Sequence, residues 1–173
     1  MIEIDLRDSS EELNKFDAFL KKIPDGCTED LRIIISGFGG YADEMFFYLD
    51  FFNRYEGNVT LVCPDYVASA DAFFFLLSNT RKELAVGASC MLHLGNAKCN
   101  NVETPILIPV RDLYIRTNHE QDIFLTEKCR QILDDEDFAV FESGEDLILT
   151  GEKLRQVTER AEKAFWKAKK EFA

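Results

Sequence analysis

The segment Ala68–Leu77, ASADAFFFLL, is the tightest constraint on how this chain can fold. It is apolar nearly all round, so a helix here has no face to give to water and must lie at the centre of the molecule. It falls well short of the roughly 18–20 residues that cross a bilayer, and no other apolar stretch reaches that length. What surrounds it is legible upstream. Leu31–Ile35 and Val59–Cys63 are apolar, β-branched runs of strand length. Between them Met45, Tyr48, Leu49 and Phe52 recur at helical spacing, after a turn at Gly37, Gly39 and Gly40 and before a stop at Glu56-Gly57-Asn58. Alternation of strand and helix predicts α/β layers with largely parallel pairing.

The flanks extend the pattern. Ile2–Leu6 reads as a short strand, and Ser9 with Glu12 forms a capping box for a helix that Pro24-Asp25-Gly26 ends. Leu84–Val86 and Met91–Leu94 read as short strands around Gly87. Val102–Val110, with Pro105 and Pro109, reads as an extended edge or connector. Ile123–Leu133 is expected to be helical, and Phe138–Phe141 and Leu147–Leu149 to be short strands. Gly151–Phe172 is expected to be a long amphipathic helix, with Lys167, Lys169 and Lys170 suiting the negative end of its dipole. A length of 173 residues without internal repeats or a clear linker predicts one domain over residues 1–173.

Charge and cysteine usage narrow the function. A net charge of −12 repels phosphate backbones and anionic lipid, which argues against nucleic acid and membrane partners. The acidic start, MIEIDLRDSSEEL, lacks the apolar core of a signal peptide. Cys27, Cys63, Cys90, Cys99 and Cys129 form no CxxC pair, so neither a metal site nor a disulfide framework is expected, and a cytoplasmic location is. No cofactor is implied. The 15 phenylalanines exceed what an ordinary core needs, and some are expected to face a partner subunit.

Ser69 opens the buried helix just after the break at Pro64. A serine there is most simply a helix cap. It is also a candidate nucleophile, because the helix N-terminus favours negative charge beside it. Amide hydrolysis further needs a base, an orienting acid and oxyanion donors. His93, at the end of the Met91–Leu92 run, is the candidate base, and Asp146, before Leu147–Leu149, the candidate acid. Gly39-Gly40 and the N–H of Ala70 are candidate oxyanion donors. A second reading competes: Gly37-Phe38-Gly39-Gly40-Tyr41-Ala42 satisfies the loose G-x-G-x-x-A dinucleotide fingerprint, with Asp65 ending the next strand. Asp65 comes later than the usual ~20 positions after the first glycine, and that reading leaves Ser69 and His93 without a role.

The stretch from Ile33 to His93 resembles the proteolytic subunit of the Clp protease, within the ClpP/crotonase superfamily. The family pattern is a strand, a Ser-Pro-Gly-Gly turn, a helix, a strand, Ala-Ser-x-Gly/Ala opening a buried helix, then a Met-Ile-His strand. Here it reads Ser36-Gly37-Phe38-Gly39-Gly40, Val67-Ala68-Ser69-Ala70-Asp71-Ala72 and Cys90-Met91-Leu92-His93. Glu145-Asp146-Leu147-Ile148-Leu149-Thr150 is similar to the motif that carries the third triad member. The resemblance implies a repeated β-β-α spiral fold with a largely parallel sheet and a handle-like region over 112–137; the C-terminal helix expected over 151–172 departs from the family, which usually has a Gly-Leu-x-Asp strand there. It further implies a serine-type endopeptidase with Ser69 as nucleophile, His93 as base and Asp146 as orienting acid. Gly40 and Ala70 would donate to the oxyanion, and peptides or unfolded proteins would be the substrates. Assembly into a homo-oligomeric ring, a heptamer or stacked rings, is also implied. The chain departs from the pattern at Phe38, which replaces the usual proline context before Gly-Gly, and at Asp71, where the family prefers a small neutral residue. It starts directly at the first strand, so engagement of an ATPase unfoldase is not expected. Alternatives are a catalytically silent scaffold of the same fold, a Rossmann-type nucleotide-binding module and a crotonase-type acyl-CoA enzyme.

Overall fold

A computed structural model describes residues 1–7, 15–40, 42–94 and 108–166. Four parallel strands form the main sheet, side by side in the order β1 (Ile2–Asp5), β2 (Leu31–Ile34), β3 (Val59–Cys63) and β5 (Arg81–Leu84). A smaller sheet has the order β4 (Tyr66–Ala68), β6 (Ser89–Leu92), β7 (Leu147–Thr150), with β4 and β6 parallel and β7 antiparallel to β6. The described helices are α1 (Lys15–Leu20), α2 (Ala42–Arg54), α3 (Ser69–Leu77), α4 (Ile108–Cys129), α5 (Asp135–Glu142) and α6 (Gly151–Phe165). None of them is long and apolar enough to cross a membrane.

Burial alternates along the strands. Leu31 and Ile33 of β2, and Val59, Leu61 and Cys63 of β3, point into the core, while Arg32 points to the other face and reaches Glu83 at 2.8 Å. As its composition requires, α3 is central: Ala70, Ala72 and Phe73–Leu77 are all buried, and the helix packs on α2, α6, β4 and β6. Full burial of a side chain such as Phe75 contributes about 2–3 kcal/mol, offset in part by lost rotamer freedom. Tyr48 stacks on Phe74 with centroids 4.6 Å apart, and Phe16, Phe19, Phe51 and Phe52 close around them. Most of the phenylalanine load thus lies inside this one chain, although Phe38 and Phe47 remain exposed.

Several local expectations are corrected. The strand expected over Leu84–Val86 lies earlier, at Arg81–Leu84, and the next ends at Leu92 rather than Leu94. The polar Arg81-Lys82-Glu83 stretch is a strand because β5 is an edge, where the Lys82 N–H donates to the Glu162 carboxylate of α6 at 2.6 Å. Phe138–Phe141 is helical, not extended: the Asp134 side chain accepts the Asp137 N–H as an N-cap, and Phe138 and Phe141 fall on one buried face. From Ile108 the expected connector is already helix, with Pro109 in the first turn, where its missing N–H costs nothing. That helix runs to Cys129 and replaces the shorter one expected from Ile123. The region 112–137 is taken up by most of α4, a turn over 130–134 and the start of α5. The capping box at Ser9, the segment Val102–Leu107 and the lysines after Trp166 lie outside the described residues.

Candidate active site

Three strand ends meet at one edge of the smaller sheet, and their register decides which residues face each other. In the parallel β4–β6 pair, Ala68 stands opposite Met91. Chain polarity therefore sends Ser69 and His93 off the same end. In the antiparallel β6–β7 pair, Leu92 stands opposite Leu147, so one further step of the register sets His93 against Asp146. Leu147 and Leu149 point inward and Ile148 outward, so Asp146 shares the outward face with His93.

Ser69 begins α3 with φ at 54°, the left-handed region. Among the described residues it is the one non-glycine residue with positive φ. The strain, on the order of 1–2 kcal/mol for an L-residue, marks a sharp strand-to-helix turn that lifts the side chain out of the strand direction. Its Oγ lies 2.8 Å from His93 Nε2, in a half-buried setting. His93 Nδ1 is 4.0 Å from Asp146 Oδ1, and the Asp146 side chain is 66% exposed. The structure therefore brings Ser69 and His93 into hydrogen-bonding contact and leaves Asp146 beside them at the outer limit of an ion pair.

The glycine turn is laced to the strand that delivers Ser69. The Gly37 N–H donates to the Tyr66 carbonyl at 3.2 Å, and the Ala68 N–H donates to the Gly37 carbonyl at 2.9 Å. Gly39, with φ at 92°, approaches so closely that a Cβ there would stand 2.7 Å from the Ala68 oxygen and from Ser69 Cβ. Only glycine fits. Gly40 and Ala70 thus lie on the two backbone segments that meet at Ser69. The Asp71 carboxylate reaches across and accepts the Gly39 N–H at 3.1 Å. Sequence reasoning singled out Asp71 but not this bond, which exists only because the fold sets residue 39 against the first turn of α3. Phe38 lies over Tyr66 at the rim of the turn, centroids 4.7 Å apart.

The dinucleotide reading does not survive this geometry. The glycines are used against the Ser69 turn, not held open for a pyrophosphate. The main sheet runs β1-β2-β3-β5 in one direction, without the reversal of strand order at which such ligands bind. Asp65, its expected ribose partner, accepts the N–H of its neighbour Tyr66. The buried cysteines are also accounted for as core. Burial pushes the Cys63 and Cys129 thiols up to about 12, and Cys90 upward as well, so they stay protonated and inert near neutral pH.

The fold is a mixed α/β fold of the ClpP type. Among solved structures the chain is similar to that of a point mutant of ClpP1 from Listeria monocytogenes, with a TM-score of 0.54 and 17% identity over 91% of this chain and 85% of that one. No protein-family model and no curated protein matches the sequence.

Proposed function

We propose that this chain is a serine peptidase in which Ser69 is the nucleophile and His93 the general base. The observation that carries the reading is the 2.8 Å contact between Ser69 Oγ and His93 Nε2, on a serine held at positive φ at the start of a buried helix. In the reactive tautomer the proton sits on Nδ1, facing Asp146, and Nε2 takes the hydroxyl proton as Oγ attacks the carbonyl carbon. The N–H groups of Gly40 and Ala70 face the oxygen on which charge develops, and the N-terminus of α3 adds its dipole. The imidazolium then protonates the leaving amine, and water repeats the cycle on the acyl-serine. Asp146 orients the ring. A homo-oligomeric ring of such chains would enclose the sites and admit unfolded peptide.

The looseness of Asp146 and the carboxylate of Asp71 at the glycine turn favour a second reading, a silent scaffold that keeps the fold. One experiment separates the two. A fluorophosphonate–rhodamine probe should label the folded protein on Ser69, located by peptide mass spectrometry, and a fluorogenic peptide-amide library should be cleaved. Ser69→Ala should abolish both. A folded wild-type chain that neither labels nor cleaves would leave the scaffold reading standing.

A further inference from the structure

Asp71 sits in the first turn of the helix whose N-terminus holds the nucleophile, and its Oδ2 accepts the Gly39 N–H at 3.1 Å. Gly39 is the glycine wedged against Ala68, Ser69 and Ala70, where a Cβ would meet neighbouring atoms at 2.7 to 2.9 Å. Its N–H therefore points at Asp71 and not into the reaction space. The next N–H, that of Gly40, belongs to a peptide plane that the φ and ψ of Gly39 orient relative to the first. A glycine at φ 92° has a wide range of neighbouring conformations open to it, so an anchor at Gly39 itself, beside the Gly37 ties to β4, helps to hold one of them. The Asp71 carboxylate supplies that anchor from the same helix that carries Ser69. Nucleophile and glycine turn are thereby tied to one rigid element.

We propose that Asp71 is a positioning residue that holds the Phe38–Gly39 peptide and, through it, the turn from which the Gly40 N–H faces the developing oxyanion. The role rests on the peptidase reading above and deepens it. It carries an electrostatic cost, because a carboxylate beside the α3 N-terminus opposes the charge that the transition state develops. Glu44 brings a second carboxylate to the same turn, with Oε2 3.5 Å from where a Cβ on Gly40 would stand. Acceptor and charge can be separated chemically. Asparagine keeps a carbonyl oxygen at the same reach and removes the charge, whereas alanine removes both.

The test measures turnover of p-nitrophenyl acetate, the labelling rate with fluorophosphonate–rhodamine, and the affinity of the aldehyde acetyl-Leu-Leu-leucinal. The aldehyde adds to Ser69 Oγ as a hemiacetal whose oxygen occupies the oxyanion position. Asp71→Ala should lower kcat about 10- to 100-fold, the scale of a misplaced or lost oxyanion donor. KM should stay within about twofold, and aldehyde affinity should fall in parallel with kcat. Asp71→Asn should restore all three readings to wild-type level or above. Circular dichroism and the Asp71→Asn rescue separate this from misfolding. An Asp71→Ala variant as active as wild type would overturn the role. So would Ala and Asn variants that both gain activity, which would make Asp71 a charge penalty only, or both lose it equally, which would make its charge or packing the requirement. A wild-type chain inert to the probe would instead sink the peptidase reading, and this role with it.

Discussion

Ser69 holds a conformation that costs an L-residue energy, and that cost is the clearest mark of a purpose other than stability. A cap or packing residue at the start of α3 would gain nothing from φ 54°. Ser69→Gly relieves the strain and Ser69→Ala does not. Urea denaturation should therefore find the glycine variant more stable than the alanine variant by about 0.5–1 kcal/mol, after the greater flexibility of glycine in the unfolded chain is allowed for. The partners of Ser69 differ in how firmly they are held. His93 is in contact, whereas Asp146 is largely exposed at 4.0 Å. His93→Ala should lower peptidase kcat at least ~1,000-fold and Asp146→Ala only ~10-fold, a gap wider than in a tightly aligned triad. Equal losses would show that Asp146 closes on His93 during turnover. Residue identity and chain order were enough to mark Ser69 and His93 as candidates. The positive φ, the register that opposes residue 93 to residue 146, and the Asp71–Gly39 bond were not legible, because each depends on strand pairing between segments far apart in sequence.

At the scale of elements, the readable parts were those with one dominant signal. Val59–Cys63 is apolar and β-branched throughout, and β3 has those bounds. Elements that depend on a neighbour were misread. β5 looks polar because its edge is finished by α6: Glu162 accepts the Lys82 N–H, and Arg81 lies over the Trp166 ring at 4.7 Å. Phe138-Ala139-Val140-Phe141 is apolar throughout and as a short run suits either element, and the Asp134 cap decides for helix. The β5–α6 junction also holds a buried lysine. Lys82 Nζ donates to the Ser78 and Thr80 carbonyls, and burial pushes its pKa down to about 7, only partly countered by Glu162. Because the folded value lies below the unfolded ~10.4, the unfolded chain binds more protons between the two, and stability rises with pH there. From about pH 7 to about pH 9.5 this one group should add up to ~1.4 kcal/mol of stability per pH unit. Lys82→Met should flatten that part of the stability–pH curve, measured by urea denaturation at each pH. A mutant curve parallel to wild type would show that Lys82 stays charged when folded.

For the whole molecule, net charge sets the terms on which the proposed ring could assemble. Each chain carries −12, and copies brought into a ring repel one another. Opposing this are apolar side chains that one chain leaves in water: Phe47 on α2, Ile123 on α4 and Ile148 on β7. Burying such groups between subunits is insensitive to moderate salt, whereas the repulsion is screened as the Debye length falls from roughly 30 Å at 0.01 M to about 8 Å at 0.15 M. If ring formation underlies activity, added salt should favour both. Sedimentation velocity from about 10 to about 300 mM NaCl should show the oligomeric fraction rising with salt at fixed protein concentration. Specific peptidase activity should rise over the same range. Phe47→Glu adds charge and removes apolar area together, so it should shift the transition to higher salt or abolish it while leaving the fold intact by circular dichroism. Dissociation on adding salt would mean that ion pairs, not apolar contacts, join the subunits, and would overturn this account of the exposed apolar side chains.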